Sequence, residues 1–165
     1  MSEAARTLVL MRHGKSGYPD GVWDHERPLA ARGRREAALA GRWMADDGLQ
    51  VDAVLCSTAQ RTRETLERTG IGAPVQYAEE IYGGTPADIL ETVRLLAPAD
   101  AGTVLVVGHF PGLPETVLTL DADAVIDRFP TSAYAVVSVG VAWDRVGLDV
   151  DPQARLRALR VPRAK

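Results

Sequence analysis

The stretch Leu8–Ser16, read Leu-Val-Leu-Met-Arg-His-Gly-Lys-Ser, constrains this chain more than any other. Four apolar residues run directly into Arg12-His13-Gly14. A run this short reads as a buried strand, not a membrane span. Gly14 lets the backbone turn where a side chain would hinder it. A guanidinium and an imidazole therefore sit together where a core strand ends. In an open α/β sheet, ligands bind in the crevice beyond the carboxyl ends of the strands. Alone, Arg-His-Gly is a weak motif, better read as a histidine that merely satisfies a turn. Its weight comes from the rest of the chain.

Ser16 to Arg27 is rich in Gly, Pro and Asp and reads as a loop. Tyr18 and Trp23 are expected to pin it or wall a pocket. His25, flanked by carboxylates, is expected to be solvated or ion-paired. Leu29 to Asp47 predicts a helix, Ala- and Arg-rich. Its stripe is Leu39 with Trp43, and Ala37 with Ala40 and Met44, and Gly48 stops it. Arg32, Arg34, Arg35 and Glu36 are assigned to its solvated face. Asp52–Cys56 is a second strand. Ser57 or Thr58 is expected to cap a helix that runs through Arg68 and closes at Gly70. Arg61 falls in its first turn, where free N–H groups and the dipole favour anions. A planar guanidinium fork there fits phosphate. Arg63 and Arg68 have a different helical phase and read as surface.

Val75–Tyr77 predicts a short edge strand. Thr85-Pro86-Ala87-Asp88 is a strong helix start, with Ile89, Val93 and Leu96 as its stripe and Pro98 beyond its end. Thr103–Val107 is a third buried strand, and Gly108-His109 follows it. Phe110-Pro111-Gly112 turns into a short helix over Leu113–Leu120. Ala133–Val139 and Ala154–Arg160 predict the last strands. Strands alternating with helices indicate an α/β layered sheet in one domain, residues 1–165.

The length of 165 residues suits one core of useful size. A net charge of −3 supplies no basic field, so no nucleic-acid partner is expected. The single cysteine, Cys56, excludes an intrachain disulfide and a Cys-rich zinc site. It reads as a small core residue. The first residues carry no signal-peptide pattern and no apolar run is long, which predicts a cytoplasmic protein without membrane contact.

Arg12 and His13, Arg61, and His109 thus collect at three strand ends. Two Arg and two His without a metal-ligand pattern suit an oxyanion such as phosphate. At this point the chain resembles the histidine phosphatase superfamily, most of all its small SixA-type phosphohistidine phosphatases. The matching segments are Leu8–Ser16, Asp24–Leu29, Arg32–Arg35, Cys56–Thr65, Ile81–Tyr82, Val107–His109 and Phe129–Thr131. The resemblance implies a three-layer α/β/α sandwich with a mostly parallel central sheet. It implies a metal-independent phosphatase with no cofactor. Its partner would be a phosphorylated protein or a small phosphorylated substrate. His13 would be the nucleophile, and Arg12, Arg61 and His109 would hold the phosphoryl oxygens, with Ser16 near them. Phosphoryl transfer needs mainly positioning and charge stabilisation, which a fixed ring of cations provides. The nucleophilic imidazole must be neutral, with its other nitrogen held as a donor.

Two positions depart from the family pattern. Thr58 stands where relatives often have Pro, and Phe110 where many have Asn, which makes the pocket rim more apolar. Larger branches add a Glu as general acid. Glu79 and Glu80 lie in roughly that region but read as a solvated pair, and a protonated His109 is the other candidate. The competing readings are a phosphoglycerate mutase, disfavoured by the short chain, and a binding module that no longer turns over.

Overall fold

Leu8, Val9, Leu10 and Met11 are fully buried, so strand β1 (Arg6–Arg12) is covered on both faces. The computed structural model describes residues 5–163. In chain order β1 is followed by α1 (Ala31–Asp46), β2 (Ala53–Ser57), α2 (Gln60–Thr69), β3 (Val75–Ala78) and α3 (Pro86–Leu96). Then come β4 (Thr103–Gly108), α4 (Gly112–Leu120), β5 (Tyr134–Val139) and β6 (Arg155–Arg160). The six strands form one sheet in the order β3-β2-β4-β1-β5-β6. β3, β2, β4 and β1 are parallel, β5 is antiparallel to β1, and β6 is antiparallel to β5. Only β5 therefore opposes the rest, and the sheet is mixed but mostly parallel.

The period-2 alternation of side chains divides the core in two. Val9 and Met11 join Ala40, Met44 and Leu66 on the face covered by α1 and α2. Leu8 and Leu10 join Ile89, Val93, Leu113 and Trp143 on the other face, under α3 and α4. This is the expected three-layer sandwich. Cys56 lies fully within the first cluster, and burial pushes its thiol up to about 12.

Local chemistry explains most boundaries. Thr85 accepts from the Asp88 N–H, and Asp88 reaches back to the Thr85 N–H, a capping box with Pro86 at the first helical position. Gly48 and Gly70 take positive φ after α1 and α2, as helix-stopping glycines do. Three expectations need correction. α1 starts at Ala31, because Leu29 is still extended in an isolated bridge with Ser16. Its buried face is Gly33, Glu36, Ala37, Ala40, Gly41 and Met44, while Leu39 and Trp43 are only half-buried. Glu36 is not solvated: it is 2% exposed, ion-paired with Arg32 at 3.2 Å and with Arg163 at 3.3 Å. Two guanidiniums offset the cost of burying that carboxylate.

α1 meets the turn after β1 at two glycines. A Cβ on Gly33 would stand 2.1 Å from the Lys15 carbonyl oxygen, and one on Gly14 would stand 2.9 Å from the Gly33 carbonyl oxygen. Neither contact is with a flexible side-chain end. Gly33→Ala should therefore destabilise the fold by about 1–3 kcal/mol, the usual cost of overpacking, despite alanine's better helix propensity. Urea unfolding checks this. An unchanged midpoint would show that α1 shifts freely against the turn.

Candidate active site

β1, β4 and β2 are adjacent and parallel, and they end at one level: Arg12 pairs with Gly108, and Cys56 with Val107. His13, His109 and Ser57 therefore emerge side by side at the carboxyl edge of the sheet. The His13 and His109 ring centroids are 5.3 Å apart. Arg61, the second residue of α2, is 6% exposed and enters the same pocket from the β2 side. The structure thus brings together Arg12, His13, Arg61 and His109.

Each imidazole is held. His13 Nδ1 lies 2.7 Å from the Gly14 carbonyl oxygen. A carbonyl can only accept, so Nδ1 carries the proton and Nε2 is the basic nitrogen. The Gly14 N–H donates to Thr65 Oγ1 at 2.9 Å, and Thr65 donates to the Arg61 carbonyl at 2.7 Å. α2 thereby fixes the turn that fixes the ring. The segment Phe129–Ala133 holds the other side: Arg12 donates to the Phe129 carbonyl at 3.0 Å, and the Ser132 N–H donates to the His13 carbonyl at 2.9 Å. His109 Nε2 is 2.8 Å from the Ser57 hydroxyl.

Both guanidiniums keep unused donors. Arg12 Nε and Arg61 Nε are buried without a hydrogen-bond partner. Buried unpaired donors are rare in native proteins. Two of them, on cations flanking two imidazoles, suit a tetrahedral anion.

Asp24 is a site residue that sequence reasoning missed. Arg61 donates to its carbonyl at 2.7 Å and to its carboxylate at 3.2 Å. Arg27 donates to the same carboxylate at 3.0 Å, and Tyr82 does so through its hydroxyl. The Tyr82 hydrogen bond, then Arg27 and Arg61, hold the Asp24 carboxyl well below the usual range. The same bond raises Tyr82, whose ring meets His109 edge-on at 5.4 Å. Ser16 belongs to this network at one remove, since its hydroxyl accepts from Arg27 at 2.5 Å. The Asp24–Leu29 and Ile81–Tyr82 segments stood out in the sequence, but nothing local paired Asp24 with residues 37 and 58 positions away.

Ser57 and Thr58 do not cap α2. Ala59 is its N-cap, without a side-chain cap. Ser57 still lies in β2 and bonds His109, while Thr58 bonds His25 Nε2 at 2.9 Å. His25 also rests edge-on against Tyr82 and lies 3.6 Å from the Glu26 carboxylate, the ion-pair geometry expected of it. Glu79 and Glu80 are exposed and neither bonds a site residue. Among the described residues no helix is long and apolar enough to cross a membrane.

Burial is the main reason that His13 falls to about 4, with the charges of Arg61, Arg12 and Arg27 acting in the same direction. Burial, then His13 and Arg61, lower His109 to about 3. Both rings are therefore held toward the neutral form, which disfavours the protonated His109 considered as an acid. In the unfolded chain a histidine titrates near 6.5. Between about 6.5 and 4 the unfolded state binds more protons than the fold, so stability is lost as pH falls through that window. A His13→Gln protein should lose less stability than the wild type between pH 7 and 4.5, as measured by urea unfolding. Parallel curves would show that His13 is not held neutral.

The histidine phosphatase superfamily (branch 1) matches residues 8–82. The chain belongs to that superfamily. Within it, the chain is similar to phosphohistidine phosphatase SixA of Escherichia coli (strain K12). The two are 30% identical over 138 residues, covering 80% of this chain and 84% of that protein. An uncharacterized protein of Mycobacterium tuberculosis (strain H37Rv) is 45% identical over 163 residues, covering 93% of this chain and all of the relative. A solved Nakamurella multipartitia structure, proposed to be a phosphohistidine phosphatase SixA, superposes with a TM-score of 0.90. It is 41% identical and the match covers 99% of this chain and 100% of that one.

Proposed function

We propose that this chain is a metal-independent phosphohistidine phosphatase in which His13 carries the phosphoryl group. The observation that carries the reading is the Nδ1-to-Gly14 hydrogen bond, which leaves Nε2 as the attacking lone pair. Nε2 attacks phosphorus, the bond to the leaving group breaks, and the leaving group departs with the electron pair. Water then attacks the phosphohistidine, releasing phosphate and returning the pair to Nε2. Arg12, Arg61 and His109 hold the phosphoryl oxygens, while Ser16 acts through Arg27. The six strands and four helices serve as a single domain, and the setting is cytoplasmic.

The substrate follows from the missing acid. Asp24 is ionised, His109 is neutral, the Tyr82 phenol is held more firmly protonated, and Glu79 and Glu80 face solvent. An alkoxide leaving group needs a proton in the transition state. An imidazole leaves readily once protonated from solvent, and a phenoxide is stable by itself. A phosphorylated histidine on a protein is therefore the favoured substrate.

The test is kcat/KM on a histidine-phosphorylated protein and on esters of graded leaving-group pKa. Good turnover of the phosphohistidine and a steep fall as ester pKa rises are expected. A flat profile would mean that an acid is present and that phosphohistidine has no special standing. Binding without any turnover would make the chain a phospho-ligand module.

A further inference from the structure

The phosphoryl pocket explains Arg12 only in part. On its outer side the same residue walls a second cleft of about 450 Å³, with Phe110, Pro114, Leu118, Ile126 and Phe129. The Arg12 guanidinium is fixed between the two spaces. It donates to the Phe129 carbonyl at 3.0 Å and stacks over the Phe110 ring at 5.1 Å. Phe110, one of the two positions that depart from the family pattern, is 54% exposed at the rim. Whatever fills this cleft lies one guanidinium away from a bound phosphoryl group. The two sites are close enough to be filled by parts of one substrate.

The shape indicates which substrate. Small-molecule sites of this size enclose most of their ligand. This cleft is open-sided, and Leu118 on its wall is 41% exposed. Its apolar floor is bordered by the charged side chains of Glu115, Asp127 and Arg128. An apolar centre within a polar rim is the anatomy of a protein-binding patch.

We infer that the cleft between α4 and the Ile126–Pro130 segment receives a large apolar side chain from the same polypeptide that presents the phosphohistidine. The inference rests on the phosphohistidine reading and adds to it a sequence requirement around the target histidine. Leu, Ile, Met or Phe fits the floor; a charged or small side chain does not.

The test uses the intact protein and short phosphohistidine peptides in a Gly/Ser background, with a single Leu moved through the positions on either side of the phosphohistidine. One position of the Leu should raise kcat/KM about tenfold or more, the gain expected from burying such a side chain. The gain should fall in KM. Leu118→Asp should erase it while leaving hydrolysis of a simple aryl phosphate unchanged, and Leu118→Ser serves if the charged variant folds poorly. Equal turnover of all peptides overturns this inference alone. So does a preference that survives both variants, or a gain confined to aryl phosphates with apolar extensions. Cleavage of aryl phosphate with no peptide cleaved at all overturns the phosphohistidine reading and this inference together.

Discussion

His13→Ala is expected to lower turnover by at least about four orders of magnitude while leaving the melting temperature near that of the wild type. Loss of a covalent nucleophile elsewhere costs on the order of 10⁶ in kcat. The His13 ring is buried, but the turn that carries it is held by backbone contacts that alanine keeps. The Ser132 N–H still binds the residue 13 carbonyl, and the Gly14 N–H still binds Thr65. Brief reaction with labelled substrate, followed by denaturation, should leave an acid-labile phosphoryl group on the wild type only. Substantial turnover by the alanine protein, or label on both, would remove His13 from the chemistry.

Arg61→Ala should cost roughly 3–4 kcal/mol of transition-state stabilisation, or about a hundred- to a thousandfold in kcat, as for a lost charge-stabilising donor. Arg61→Lys keeps the charge but not the planar fork, and should recover only part of the rate. The loss also releases Asp24, which would keep only Arg27 and Tyr82. That carboxylate is then freer to repel a phosphoryl group, so KM should rise as well. Unchanged kcat with a lowered melting temperature would mean that Arg61 only anchors the Asp24 turn.

Some of this was legible in the residues and some was not. The buried strands, the Thr85 capping box and the glycines after α1 and α2 were readable because their causes lie within a few positions. The gathering of Arg12, His13, Arg61 and His109 was readable because Arg12, His13 and His109 lie at the ends of apolar strands and Arg61 in the first turn of the helix after one. Asp24 and Tyr82 were not, because what makes them site residues is each other and Arg61, across distant parts of the chain. Ser57 looked like a cap because hydroxyls before helices usually are. Its bond to His109 exists only once β2 and β4 lie side by side. Glu36 looked like part of a charged helix face, and no local pattern announces Arg163, which arrives from the far end of the chain.

The order of strands in the sheet bears on how this chain is made. β1 leaves the ribosome before the other strands, yet it pairs only with β4 and β5, which begin at Thr103 and Tyr134. For the synthesis of roughly the next hundred residues, its Leu-Val-Leu-Met run has no partner strand. Pairings this far apart in sequence form slowly, and a waiting apolar strand is the segment from which aggregation starts. A strand buried on both faces is thus vulnerable during birth. The edge that gathers Arg12, His13, Arg61 and His109 comes into being only when the second half of the chain closes over the first.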